Sequence, residues 1–199
     1  MTSKILALTP GHYPESPGAC FPIDDRNWCE HEEAIRWCGL IKKYAELTGV
    51  EVRIGPGTWL GDKVRWINAL DPQPALACEV HFNSDVSKRQ KGSETLYCPR
   101  SIKGGLAARI VQTYMASLLQ PNRGAKEGWY RMDRPGHVDY PGDVEGDEKV
   151  DYYLIKTNCP ALIIEPEFIY NRSIIEAVRE SACEMIAQGL VAAMEAIRS

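Results

Sequence analysis

Three apolar runs of the chain end in residues able to bind a metal or move a proton. Ile5-Leu6-Ala7-Leu8 runs into Thr9-Pro10-Gly11-His12, Ala75 to Val80 into His81-Phe82-Asn83, and Ala161 to Ile164 into Glu165-Pro166-Glu167. A fourth cluster, Glu30, His31, Glu32 and Glu33, opens a helix-like segment. Two imidazoles and one carboxylate drawn from separate elements are the ligand set of a catalytic zinc site, which keeps a net positive charge and an open position for water. Zinc lowers the pKa of that water toward ~7 and polarises a substrate carbonyl. A further carboxylate near the open position can carry the proton from the water to a leaving amine. His12, a glutamate of the Glu30 cluster, His81 and Glu165 supply the four parts.

Each part also has a purely structural reading. A histidine at a strand end is commonly a hydrogen-bonded framework residue, and His81 suits a satisfied core histidine. Glutamates at a helix N-terminus are favoured by the helix dipole. Glu165 is the hardest to explain structurally, because a carboxylate closing an apolar strand is costly to desolvate unless it is paired or used.

The elements that must position these residues alternate between strand and helix. Lys4–Thr9, Val50–Ile54, Ala75–Phe82, Ser93–Cys98 and Ala161–Ile164 read as strands, punctuated by Pro10-Gly11, Gly55-Pro56-Gly57 and Pro160. Glu30–Leu47 carries Ala34, Trp37, Cys38, Ile41 and Ala45 at helical spacing, and Leu60–Leu70 carries Leu60, Val64 and Ile67. Leu106–Leu119 is expected to bury Leu106, Ile110, Tyr114 and Leu118. Ser173–Ile197 is expected to bury Ile174, Val178, Ala182, Met185, Ile186, Gly189, Ala193 and Ile197, with Ser173 as N-cap. The alternation predicts an α/β fold: one domain over residues 1–199, with an open, mostly parallel twisted sheet flanked by helices on both faces. In such sheets ligands sit at the carboxyl ends of the strands, where the polar residues above fall. Gln120–Asp151, rich in Gly, Pro and charge, reads as a long connection of little regular structure.

Composition limits the alternatives. Of 199 residues, 44% are hydrophobic and 25% charged, which excludes a disordered or fibrous chain. A net charge of −4 gives no support for nucleic acid as a partner. No apolar run approaches the ~20 residues of a membrane span, and the N-terminus lacks the core and cleavage site of a signal peptide. The expectation is a monomer made in the cytoplasm, with no membrane partner. Seven cysteines, an odd number without a Cys-x-x-Cys pair, argue against a disulfide framework and against a cysteine-rich zinc site. Most are expected to be buried small apolar residues.

The ordered set of segments resembles the zinc-dependent N-acetylmuramoyl-L-alanine amidases, the family of bacterial autolysins and phage endolysins. It runs from Ile5 to about Ala193. It includes Pro10-Gly11-His12, Gly18-Ala19, the glutamate opening the first helix, Val80-His81-Phe82-Asn83 and Gly92 to Tyr97. Arg123-Gly124-Ala125-Lys126, Pro160 to Glu165 and Phe168-Ile169-Tyr170-Asn171 complete it. The resemblance implies one Zn2+ held by His12, Glu30 and His81, with Glu165 as the catalytic glutamate. Glu30 fits best as third ligand because Ala34 and Cys38 share its helix face; Glu33 is the alternative, and His31 is expected to face solvent. The implied substrate is peptidoglycan, cut at the amide between N-acetylmuramic acid and L-alanine. Asn83, Trp129, Tyr130 and Arg131 are candidate substrate contacts, the last three in the long connection, where an aromatic beside an arginine suits sugar faces and peptide carboxylates.

Two departures from the family pattern stand out: Glu167 occupies a position usually held by glycine, and Tyr13-Pro14-Glu15 follows the first histidine. The rival readings are a zinc carboxypeptidase or other small-amide hydrolase, and a catalytically inactive wall-binding module. The absent export signal suits a phage endolysin released by a holin.

Overall fold

Residue alternation in the strands sets the architecture, because successive side chains of a strand face opposite sides of the sheet. The computed structural model describes residues 4–23, 26–131 and 148–198. Its main sheet has six strands: β1 (Ile5–Pro10), β4 (Glu51–Ile54), β5 (Leu76–Val80), β6 (Ser93–Tyr97), β7 (Asn122–Glu127) and β10 (Ala161–Glu165), in the order β4-β1-β5-β10-β6-β7. Every pairing is parallel except that of β10 with β6.

Among the described residues five helices cover the sheet: α1 (Glu30–Glu46), α2 (Leu60–Asn68), α3 (Ile102–Met115), α4 (Tyr152–Lys156) and α5 (Arg172–Arg198). Leu6, Leu8, Leu76, Cys78, Val80, Leu162 and Ile164 point into the larger core, beneath α1, α3 and α5. Ala7, Ala77, Ala161 and Ile163 point the other way, toward Val64 and Ile67 of α2 and Tyr153 and Leu154 of α4. Two-sided burial explains why β1 reads as a continuous apolar run: all six of its residues are buried. Among the described residues no helix is long and apolar enough to cross a membrane.

Parallel pairing brings the ends that matter to one edge. Pro10 lies opposite Val80, and Val80 opposite Ile164, so β1, β5 and β10 deliver His12, His81 and Glu165 to the same end of the sheet. The reversed β6 sets Glu94 directly across from Glu165.

Several expectations are corrected. α3 buries Gly104, Gly105, Ala107, Ala108, Val111, Gln112 and Met115, while Leu106 and Leu118 are exposed. The reason is close helix packing: a Cβ on Gly189 of α5 would lie 3.3 Å from Val111 Cα, so small residues fill that interface. Ser173 lies inside α5 rather than capping it, and Ile174 is exposed while Ile175 is buried. Within the stretch from Gln120 to Asp151, strands occupy part of the described residues. β7 extends the main sheet as an edge strand, and β8 (Trp129–Arg131) pairs antiparallel with β9 (Glu148–Val150). A hairpin of β2 (Cys20–Ile23) and β3 (Arg26–Cys29) precedes α1. Its register puts Cys20 opposite Cys29, and the two form a disulfide. The sequence does not display this pairing, because a hairpin's register is set by its turn and not by cysteine spacing. Cys38, Cys78 and Cys183 are free and buried, as expected.

Candidate metal centre

The first histidine is held by the backbone on both sides. Gly11 N–H donates to Val80 O at 2.7 Å, which keeps the end of β1 on the sheet. His12 then adopts a left-handed backbone, φ 56°, uncommon for a residue with a side chain. His31 supports this turn from α1: it is buried, and its Nδ1 donates to Gly11 O at 2.7 Å. The expectation that His31 faces solvent is therefore wrong. The helix start is docked against the Gly11 turn, a contact that helical periodicity does not reveal. The unusual Tyr13-Pro14-Glu15 forms a tight turn, with paired backbone hydrogen bonds between Tyr13 and Ser16.

Glu30 is the first residue of α1, and the hairpin aims it. Its N–H donates to Ala19 O at 3.1 Å, and Ala19 N–H donates back to its Oε2 at 3.3 Å. Glu30 Oε1 lies 3.0 Å from His12 Nε2 and 2.9 Å from His81 Nδ1, and also accepts from Phe82 N–H at 3.1 Å. His81 itself follows β5, its N–H bonded to Ile164 O at 2.9 Å. The rings of His12 and His81 stand edge to face with centroids 4.9 Å apart. Burial alone would raise the Glu30 carboxyl; the two histidines overcome it and hold the pKa down at about 2. Glu33, the alternative ligand, is engaged elsewhere, accepting from Trp37 Nε1, Arg36 and Arg179.

This trio fits a metal ion. The potential ligand atoms of His12, Glu30 and His81 all lie within 4.8 Å of one another, and two nitrogens with one carboxylate oxygen make a donor set suited to zinc. The space around them depends on two glycines. A Cβ on Gly11 would come within 2.7 Å of His81 Nδ1. One on Gly18 would come within 2.5 Å of Glu30 Oε2 and 2.6 Å of His12 Cδ2.

Glu165 closes β10 beside this group. Its Oε2 is buried with no hydrogen-bond partner among the described residues. Burial raises its pKa well above the usual carboxylate range; His81 opposes the rise, and Glu30, Glu94 and Glu79 add to it. Across the strand pair, Glu94 is neutralised by Arg123 Nε at 3.1 Å and Lys126 Nζ at 2.5 Å. Asn83, a candidate substrate contact, donates from Nδ2 to Glu94 Oε1 at 2.5 Å. Glu167 is buried, and its Oε1 accepts from Gly92 N–H, Phe168 N–H and Asn171 Nδ2, tying together the loops below the site. Trp129, Tyr130 and Arg131 form β8; the expectation that their side chains line a groove lies outside the described residues.

Sequence reasoning assigned no role to two buried charges behind the histidines. Lys63 of α2 and Glu79 of β5 pair at 2.8 Å, and Glu79 Oε2 lies 3.3 Å from His81 Nε2. Burial favours the neutral Glu79 acid, but His81 and Lys63 prevail and lower its pKa. Burial likewise disfavours the His81 imidazolium, but Glu79 and Glu30 raise its pKa well above the usual histidine range. The signal was present in the sequence: a glutamate inside Ala-Leu-Ala-Cys-Glu-Val, and a lysine on the same helical stripe as Leu60 and Ile67.

The chain is similar in fold to several solved structures. With Cwp6 from Clostridium difficile it shares 18% identity at a TM-score of 0.72, over 100% of this chain and 30% of that one. An N-acetylmuramoyl-L-alanine amidase from Clostridium difficile 630 matches with 18% identity and a TM-score of 0.72, covering 98% and 96% of the two chains. The catalytic domain of CwlV, an amidase from Bacillus (Paenibacillus) polymyxa var. colistinus, matches with 19% identity and a TM-score of 0.70, covering 97% of each. No curated protein sequence matches the chain. The sequence model of the N-acetylmuramoyl-L-alanine amidases matches residues 6–196, and on that match over nearly its whole length this chain belongs to the N-acetylmuramoyl-L-alanine amidase family.

Proposed function

We propose that this chain is a zinc-dependent amidase that cleaves the bond between N-acetylmuramic acid and the L-alanine of the peptidoglycan stem peptide. The observation that carries the zinc dependence is that His12 Nε2 and His81 Nδ1 both lie within hydrogen-bond distance of the same Glu30 oxygen, with the potential ligand atoms of the three residues within 4.8 Å of one another. These three residues would hold the ion. Zinc bound there supplies a water of lowered pKa and polarises the scissile carbonyl.

The remaining chemistry falls to the chain's own residues. Glu165, whose buried Oε2 has no hydrogen-bond partner among the described residues, takes a proton from the attacking water as the new C–O bond forms. The C–N bond then breaks, and Glu165 returns the proton to the departing alanine nitrogen. A carboxyl whose pKa is raised by burial is matched to this double role near neutral pH. Arg123 and Lys126 keep Glu94 compensated, so the pair of facing glutamates does not repel as two bare charges. All four groups come from one chain, which supports action as a monomer.

The test is metal analysis combined with digestion of purified cell wall. One zinc per chain, with new N-terminal alanine in the digest, is the expected result. Release of C-terminal residues without new alanine termini would assign the site to a peptidase instead. Full activity after complete chelation would overturn the zinc dependence.

A further inference from the structure

We infer that Lys63 and Glu79 form a positioning pair that sets both histidines for metal binding from the opposite layer of the fold; this rests on the metal-centre reading above. Lys63 Nζ has three acceptors: Pro10 O at 2.5 Å, His12 O at 2.8 Å and Glu79 Oε1 at 2.8 Å. Its three ammonium protons match them one for one. Two of these acceptors bracket the left-handed turn that carries the first histidine. The third acceptor, Glu79, reaches the second histidine, with Oε2 3.3 Å from His81 Nε2.

The two nitrogens of His81 are thereby divided. Nε2 faces Glu79, and Nδ1 faces Glu30 at 2.9 Å. A carboxylate on the far nitrogen fixes which tautomer the ring adopts and which nitrogen is left to ligate. A single ammonium therefore governs the backbone of one ligand and, through one carboxylate, the ring of the other. Stability does not account for the arrangement. Lys63 is 1% and Glu79 2% exposed, and a buried ion pair is often no better for stability than apolar residues of similar volume. Both sit on the α2 side of the sheet, in line with Ala7 and Ala77, where an apolar pair would extend the existing core.

The experiment measures zinc affinity, by competition with a chromogenic chelator, and metal-free melting temperature for the wild type and three variants. Glu79→Gln and the double variant Lys63→Met/Glu79→Met are expected to bind zinc about 10–100-fold more weakly, with the double variant melting at or above the wild-type temperature. Val64→Ala, which removes core volume from the same helix, is expected to melt lower and keep wild-type zinc affinity. Zinc affinity within about threefold of wild type in both Glu79→Gln and the double variant would overturn the inference while leaving the metal centre intact. A wild type that binds no zinc would overturn the metal-centre reading, and this inference with it.

Discussion

Glu30 Oε1 meets His81 Nδ1 at 2.9 Å, across 51 residues of chain. The contact joins the start of α1 to the end of β5, linking the two layers at the edge of the sheet where the site lies. Replacing His81 with Ala removes a proposed zinc ligand and leaves Glu30 buried with one fewer partner. The expected outcome is loss of stoichiometric zinc and of cell-wall turnover, measured by metal analysis and dye release. Retained zinc and activity would exclude His81 as a ligand.

Glu165→Gln separates metal binding from proton transfer. The variant is expected to hold zinc as the wild type does and to lose about 10²–10⁴-fold in turnover. Its melting temperature should stay level or rise, because a buried carboxyl oxygen with no partner among the described residues is itself a cost to the fold. A general-base role is excluded by near-full turnover.

Gly11→Ala tests the space that the ligands need. The added methyl would lie 2.7 Å from His81 Nδ1, so the imidazole must move. Zinc affinity is expected to fall far more than thermal stability does. Equal affinity, measured by chelator competition, would show that the ring can yield without leaving the centre.

Asp151 predicts a pH dependence. It caps α4, accepting from Tyr153 N–H at 2.8 Å and Leu154 N–H at 3.3 Å, and burial, aided by Glu79, pushes its pKa up from 3.8 to about 6. The native state then binds this proton more tightly than the unfolded chain does. The contribution is fully present below the ordinary carboxylate pKa and is lost as pH rises through about 6. Asp151→Asn keeps the capping oxygen. Its stability relative to wild type is expected to improve by up to about 3 kcal/mol between pH 4 and pH 7, read from denaturant unfolding at each pH. A constant difference across that range would be evidence against a raised Asp151 pKa.

The Cys20–Cys29 disulfide closes a short loop against the segment that aims Glu30. Cross-linking residues nine apart restricts the unfolded chain by about 3 kcal/mol in the chain-entropy model. A reductant is expected to lower both the melting temperature and the zinc affinity of the wild type, while Cys20→Ser/Cys29→Ser should be indifferent to it. Identical melting of the wild type with and without reductant would count against any structural role for the bond.

Much of the candidate site was legible along the chain. His12, His81 and Glu165 each follow an apolar run, and in a parallel sheet such ends gather at one edge. Glu30 was distinguishable from Glu33 only by its spacing to Ala34 and Cys38, and both glutamates proved to be buried. What separates them is what α1 packs against: Glu33 meets Arg179 of α5, and Glu30 meets the two histidines. The spacing of large apolar residues does not mark the inward face of α3, because a close helix contact selects the small ones.

The amino-acid sequence by itself determined the alternation of strands and helices, the two-sided burial of the central strands and the residues that end them. These follow from local periodicity and from the cost of leaving apolar side chains in water. Tertiary structure alone decided that His31 is buried, that β6 runs against its neighbour and that Cys20 faces Cys29. It also decided that Lys63 crosses from α2 to reach both histidine segments. Such contacts depend on register and on how whole elements dock, and no spacing along one chain encodes which distant partner will satisfy a buried charge.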